Sequence, residues 1–465
     1  MDVDKAKNLH FIGIGGCGMS AIAKILWEMG KGVQGSDSKE SSNTIRLRDL
    51  GMRVFIGHDG SNIRGSDLIV YSSAIPSDNV ELSSARAAGL SLISRADALS
   101  WILDQFKTRI TVAGTHGKTT TTSMISTLLS RCGLSPTYLI GAEADTVEGN
   151  ARLGNGQIVV AEADESDGSF LKFHPTIAVV TNVESDHMDH YKTLENIIET
   201  FAEHLSALSS DGCLIINTDN SNNHVLLKKL GTLKKCVRYG MTDDAELKAR
   251  DIKHDAGGVS FDILFKGKLL GRVEIAVPGL QNVQNALSSI AVGLELGLPF
   301  TSIRNAIRYF KGVKRRFQNV GEFNRVTVID DYAHHPTEVA ATLSAARAGW
   351  SSKTRIICVF QPHRYTRTLH LHTDFGSAFD EADVVILSDI YSAGEEPIEG
   401  VSTKLIEDAV RANSGPEVHY IPKKDRIVDF LLKFAKPGDM IITAGAGDIH
   451  SVGREYLARA RGAGK

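Results

Sequence analysis

The stretch Ile110-Thr111-Val112-Ala113-Gly114-Thr115-His116-Gly117-Lys118-Thr119-Thr120-Thr121-Thr122 limits what this chain can fold into more than any other. Ile110 to Ala113 reads as a short buried strand and Gly114 to Gly117 as a tight turn. Thr119 to Leu129 reads as a helix with Met124, Ile125, Leu128 and Leu129 on its apolar side. Strand, glycine turn, Lys-Thr and helix together make a phosphate cradle. The glycines let backbone N–H groups close on phosphate oxygens, and the helix N-terminus adds its positive dipole end. Lys118 would then reach the β/γ-phosphates and the Thr119 hydroxyl would ligate Mg²⁺. The strict pattern has glycine at position 112, where this chain carries Val112. The bland alternative is a glycine-bearing turn with a surface lysine.

The amino end repeats the arrangement. A strand from Leu9 to Ile12 meets Gly13, Gly15 and Gly18 in G-x-G-x-x-G spacing, and a helix from Ser20 to Gly30 follows. The next strand, Gly32 to Gly35, ends at Ser36-Asp37. An acidic residue about twenty positions after such glycines is where dinucleotide folds accept a ribose hydroxyl. The alternative is a turn that merely packs helix on sheet. Strands at Met52 to Gly57, Leu68 to Tyr71 and Leu90 to Ile93 end at His58, Ser72-Ser73 and Ser94-Arg95, where open α/β sheets bind ligands. Lys107-Thr108 is a plausible boundary before the second glycine motif.

Further on, Gln157 to Ala161 ends in Glu162-Ala163-Asp164-Glu165-Ser166-Asp167, and Ile177 to Val180 leads to Asp186-His187-Met188-Asp189. These acidic clusters are either solvated turns or Mg²⁺ ligands, since that ion takes a few hard oxygens and keeps several waters. His187 either ligates or orients a carboxylate. Gly258 to Phe265 and Leu269 to Val277 flank a Lys-Gly-Lys turn and read as a hairpin at a sheet edge. Asn282 and Asn285 share one face of a helix running to Leu296. Arg315-Arg316 is a basic surface or a phosphate clamp. The last third is again βα. Val326 to Ile329 ends in Asp330-Asp331-Tyr332-Ala333-His334-His335-Pro336, and Arg355 to Phe360 ends in Gln361-Pro362-His363-Arg364-Tyr365-Thr366-Arg367. Strands at Val384 to Leu387 and Met440 to Thr443 follow, with helices over Thr337 to Ala348 and Ser402 to Ala412.

Composition excludes several classes. A net charge of -3 leaves no basic footprint for nucleic acid. No apolar run is long enough to span a bilayer, and the charged start does not look like a signal peptide. The 5 cysteines are scattered with no C-x-x-C pair, which suits reduced thiols in a cytoplasm. At 465 residues the chain holds about three domains.

The two glycine motifs, Glu162 to Asp167, Asp186 to Asp189, Asp331 to Pro336 and Pro362 to Arg367 occur in an order that resembles the Mur ligases. The resemblance runs from about Leu9 to about Gly453. The Gly-Lys-Thr loop is shared with folylpolyglutamate synthases, and the last two clusters are the specific part. The resemblance implies an α/β protein of three domains: an N-terminal Rossmann-like domain over 1–107, a central P-loop ATPase-like α/β domain with an added small β-sheet over 108–321, and a C-terminal Rossmann-like domain over 322–465. It implies an ATP-dependent amide ligase whose first domain holds UDP-N-acetylmuramate, whose second holds ATP and Mg²⁺, and whose third receives L-alanine.

By the same resemblance, Gly13, Gly15, Gly16, Gly18, Met19, Ser20, Asp37, His58, Ser72 and Ser73 bind the UDP-sugar. Gly114, Thr115, His116, Gly117, Lys118, Thr119, Thr120, Asn282, Asn285, Arg315, Arg316 and Asp331 bind ATP. Thr119, Glu162 and His187 handle Mg²⁺, and Lys118, Glu162, His187, Arg316 and Asp331 serve catalysis. His335, His363, Arg364 and Arg367 receive alanine, where a guanidinium fork suits a carboxylate. Gln281 departs from the family, which often has His there. No lysine lies between Thr193 and Ser210, where sister ligases carry a carbamylated one; this points to the alanine-adding branch. One rival is a relative that attaches a whole murein peptide during recycling. Another is an NAD-binding regulatory module, which leaves the Asp331 to Pro336 and Pro362 to Arg367 clusters without a job.

Overall fold

A computed structural model describes residues 2–144, 149–351, 353–413 and 415–463. Its architecture is α/β with three sheets. By contact the chain divides into two compact units, Met1–Glu184 with Thr193–Lys248 and Leu287–Ile307, and Ser185–Lys192 with Ala249–Ala286 and Arg308–Lys465.

The first unit contains a five-stranded parallel sheet in the order Arg53–Ile56, Gly32–Asp37, Asn8–Ile12, Leu68–Tyr71, Ser91–Ser94. The order reverses about Asn8–Ile12, which puts the first glycine turn at the switch point where such sheets bind ligands. The helix expected from Ser20 begins earlier and spans Cys17–Glu28, burying Met19, Ile22, Ile25 and Leu26. A second sheet in this unit centres on Thr108–Ala113, flanked in parallel by Ile158–Glu162 and Ile177–Val180. Thr108 is the first residue of this strand, and the contact division keeps Met1–Glu184 in one unit. Ile177–Val180 is buried at every position, as expected for a parallel strand covered on both faces.

Sequence reading missed Thr137–Ala144 and Gly149–Arg152, an antiparallel pair beside Ile158–Glu162. These strands pack on helix Cys17–Glu28. Lys24 Nζ donates to the Ala151 carbonyl at 2.6 Å and the Leu153 N–H to Glu28 at 2.8 Å. Lys172 joins Asp97 at 2.6 Å.

The second unit carries the expected hairpin, Gly258–Phe265 against Lys268–Ile275. It also carries a sheet in the order Gln318–Phe323, Val326–Asp331, Met440–Ala444, Ile356–Phe360, Val384–Leu387, Glu417–Tyr420. Alternation along Ile356–Phe360 assigns its two faces. Ile356, Cys358 and Phe360 pack with Phe375 and Phe379, whereas Ile357 and Val359 pack with Ile427, Val428 and Leu431. Asp330 and Asp331, expected in a loop, are the last residues of their strand and are buried.

Candidate active site

The second glycine turn is held from below by the loop after Ile177–Val180. Asn182 accepts from the Thr115 N–H at 3.0 Å with its carbonyl and from the His116 N–H at 2.8 Å with its side chain. The Thr115 hydroxyl accepts from the Glu184 N–H at 2.8 Å. Those two amides are therefore scaffold, not phosphate donors. The N–H groups of Gly117, Lys118, Thr119 and Thr120 have no partner among the described residues. They are the orphan amides at the start of helix Lys118–Arg131 and form a nest for an anion. Gly114 has φ +140°, and a Cβ there would stand 2.0 Å from Thr181 Oγ1, so glycine is obligatory.

Lys118 Nζ lies 2.7 and 2.8 Å from the two carboxylate oxygens of Glu165 and donates to the Gly114 carbonyl at 2.6 Å. Burial opposes its charge, but Glu165, Asp164 and Glu162 outweigh burial and keep the ammonium above its ordinary range. Burial pushes the Glu165 carboxyl up to about 7 despite Lys118. Glu165 is the residue that sequence reasoning passed over, although it sits inside the quoted acidic cluster. Thr119 Oγ1 donates to Glu162 Oε2 at 3.1 Å, and the Gly141 N–H donates to Glu162 Oε1 at 2.5 Å. Burial raises the Glu162 pKa. A desolvated carboxylate beside a hydroxyl is a set of hard oxygens that favours a nearby cation, so these residues fit Mg²⁺.

At the first glycine turn the Gly15 N–H donates to Asp37 Oδ2 at 2.8 Å. A Cβ at Gly15 would meet that oxygen at 2.8 Å and Thr44 Cγ2 at 2.9 Å. One oxygen of Asp37, expected to be free for a ribose, is thus engaged in bracing the turn. Met19 and Ser20 are buried, and Ser20 Oγ donates to the Cys17 carbonyl at 3.0 Å. The Met19 side chain packs under the turn, 3.8 Å from where a Cβ at Gly16 would stand. Ser72 is partly exposed and Ser73 exposed at the end of Leu68–Tyr71. Cys17 Sγ donates to the Gly141 carbonyl at 2.9 Å.

In the second unit, Asp331 accepts from the Phe317 N–H at 2.9 Å and the Ala333 N–H at 2.8 Å. Burial raises it to about 6, against the pull of Arg316. Arg315 donates to the Gly445 carbonyl at 2.6 Å and lies 3.4 Å from Asp330, while Arg316 lies 3.3 Å from Glu338. Both guanidinium groups lie over Tyr332, at 4.8 and 5.1 Å from the ring centre. Asn282 Nδ2 donates to the Pro278 carbonyl at 2.7 Å, and Asn285 Nδ2 to Asn282 Oδ1 at 3.2 Å.

Arg367 donates to His363 Nδ1 at 3.0 Å and to both oxygens of Asp186 at 3.0 and 3.2 Å. Burial opposes the Asp186 charge, but Arg367 holds this carboxyl well below its ordinary range. A cleft beside this pair is lined by Asp186, His187, Arg364, Thr366, Arg367 and His370, among others. His187 is held in the left-handed region, φ 53°. Arg364, also left-handed at φ 70°, is the more exposed of the two arginines. His335 caps helix Pro336–Gly349 by accepting from the Thr337 N–H at 3.3 Å. Its neighbour His334 was passed over. It is packed between Glu338 and His363, and burial drops its pKa to about 3. Burial and Arg367 bring His363 down to about 4. Both rings are neutral near pH 7.

Family models match nearly the whole chain: the Mur ligase family, catalytic domain over 8–107, the Mur ligase middle domain over 112–293, and the Mur ligase, glutamate ligase domain over 315–447. The chain belongs to the Mur ligase family. A UDP-N-acetylmuramate–L-alanine ligase of Pelotomaculum thermopropionicum is 48% identical over 458 residues, covering 98% of each chain. The protein of that name from Geotalea daltonii is 44% identical over 98% of this chain and 99% of its own. The crystal structure of a UDP-N-acetylmuramate-alanine ligase from Thermotoga maritima superposes with a TM-score of 0.81 at 30% identity, covering 98% of this chain and 99% of that one. A murein peptide ligase from Psychrobacter arcticus gives 0.72 at 26%, covering 98% of both chains.

Proposed function

We propose that this chain joins L-alanine to the carboxyl group of UDP-N-acetylmuramate at the expense of ATP, a step in peptidoglycan precursor synthesis. Full-length similarity to alanine ligases supports the reaction, and the open amides of Gly117 to Thr120 beside Lys118 are the geometric observation that carries it. A carboxylate is a poor acyl donor, so its oxygen first takes the γ-phosphoryl group. The acyl phosphate is then attacked by the alanine amine, and phosphate leaves. Phosphoryl transfer needs positioning and charge neutralisation more than covalent help.

We assign 1–107 to the UDP-sugar, 108–321 to ATP and 322–465 to the amino acid. Lys118 leaves Glu165 to meet the γ-phosphoryl group. Thr119 and Glu162 would hold Mg²⁺, which when bound neutralises charge on the β- and γ-phosphates; His187 is proposed for this on the sequence resemblance alone. Arg364 presents its fork to the alanine carboxylate; His363 and His335, whose Nδ1 atoms already accept from Arg367 and the Thr337 N–H, flank the amino-acid site with their Nε2 edges. No helix among the described residues is long and apolar enough to cross a membrane. We place the enzyme in the cytoplasm, which suits its free cysteines and its nucleotide substrates.

The test is ADP release with UDP-N-acetylmuramate present and the acceptor varied. ADP formed only when L-alanine is added supports the reading. Release driven by the tripeptide and not by alanine would replace it with the recycling reaction.

A further inference from the structure

Helix Val80–Ala87 buries a carboxylate for which the mechanism above has no use. Glu81 has no solvent exposure. Its Oε2 accepts from Ser36 Oγ at 2.6 Å and His10 Nε2 at 3.0 Å; its Oε1 accepts from Asn62 Nδ2 at 2.7 Å and the Asp59 N–H at 3.2 Å. Burial acts to raise its pKa, but the bonds from His10, Ser36 and Asn62 win and hold it at about 2. Glu81 is therefore ionised and can only accept.

Ser36 has one hydroxyl proton, and at 2.6 Å it is committed to Glu81. His58 Nδ1 lies 3.2 Å from the same Ser36 oxygen. The proton between them must belong to the ring. Neutral His58 is thus the Nδ1–H tautomer, with a lone pair on Nε2. Nε2 has no hydrogen-bond partner among the described residues, and the side chain is 20% exposed. Ser36 also lies under the first glycine turn, where its carbonyl accepts from the Gly13 and Ile14 N–H groups, each at 2.9 Å. The Gly57 N–H donates to the Asp37 carbonyl at 2.8 Å and sets His58 beside the end of Gly32–Asp37.

We propose that Glu81 is a positioning residue that, through Ser36, fixes His58 as a hydrogen-bond acceptor for the uracil N3–H of the UDP-sugar. The inference rests on the assignment of that ligand to the first domain. With the diphosphate at the glycine turn and the ribose toward Asp37, the base falls over the loop that carries His58. Uracil presents N3–H there, whereas cytosine presents a bare N3 lone pair. A fixed acceptor favours the first and repels the second, so the device selects the base.

The experiment combines ¹⁵N-histidine NMR with calorimetric binding of UDP and CDP to the full chain, using Ser36→Ala, Glu81→Gln and His58→Gln. Ser36→Ala is the gentler variant, because it leaves the carbonyl bonds to the turn intact. The wild type should show His58 as the Nδ1–H tautomer, with its Nε2 signal moving when UDP binds. His58 Nδ1 also stands 3.6 Å from Glu81 Oε1, so the Ser36→Ala/Glu81→Gln double variant, which removes both the hydroxyl and the carboxylate, should shift the ring toward Nε2–H, weaken UDP about tenfold and narrow the preference for UDP over CDP. KM for the UDP-sugar should rise while kcat at saturation is kept. An Nε2–H tautomer in the wild type, or wild-type UDP affinity in the Ser36→Ala/Glu81→Gln double variant with its fold retained, would overturn the relay. His58 signals that ignore UDP, with full affinity in His58→Gln, would instead overturn the domain assignment and the inference with it.

Discussion

Lys118 is not poised in open space; it is clasped by a buried acid. Removing it in Lys118→Ala should lower kcat by about a hundredfold or more, as for other preorganised electrostatic groups, with thermal stability retained. Steady-state ligation and a melt together check this. Glu165→Gln removes a competing partner and a like charge from the phosphate site. We expect ATP to bind about three- to tenfold more tightly, read by calorimetry; a weakened affinity would mean that Glu165 holds Lys118 in its productive place. Arg364→Lys should raise the KM for alanine and leave that for ATP nearly unchanged, because an ammonium cannot present a planar fork. Arg367→Lys should damage folding as well, since Arg367 is buried between Asp186 and His363.

Helix Leu194–Ser206 docks through His204, whose ring stacks on Phe170 at 4.6 Å and whose Nδ1 pairs with the Phe170 carbonyl at 2.9 Å. Burial lowers its pKa from 6.5 to about 4. The unfolded chain therefore takes up this proton first. The contribution of neutral His204 is complete above pH 6.5 and is lost as pH falls toward 4. Glu165 and Asp331, with raised pKa values, act in the opposite sense, so the comparison must be between variants. In His204→Gln the slope of unfolding free energy against pH should be about one proton smaller between pH 4 and 6.5, measured by denaturant titration. At this scale most strands were legible. Apolar runs such as Ile356–Phe360 and Val384–Leu387 are buried on both faces and announce themselves. Thr137–Ala144 and Gly149–Arg152 were not legible, because glycine, glutamate and asparagine break their apolar pattern and tertiary packing decides. At the site, motif residues were readable from spacing, but their engagements were not. Nothing local says that Asp37 braces Gly15, or that Asn182 occupies the Thr115 and His116 amides.

For the whole molecule, two glycine turns at the ends of strands in two different sheets imply separable ligand responses. In hydrogen exchange, UDP should protect segments around Gly13 to Ser20 and Ser36 to His58. ATP with Mg²⁺ should protect Gly114 to Thr121 and Glu162 to Glu165. Uniform protection by either ligand would contradict two distinct nucleotide sites. Gly141 adds a further consequence. Its carbonyl receives the Cys17 thiol at the first glycine turn, and its amide holds the Glu162 carboxylate. A Cβ there would stand 2.6 Å from Glu162. A side chain can be exchanged by one codon, but a backbone amide is carried by every residue except proline. What a mutation can reach at this junction is the vacancy: almost any codon change at 141 adds atoms where the carboxylate already stands. The connection between the two sites is thus inherited as an absence, and a gene can lose it by gaining a methyl group.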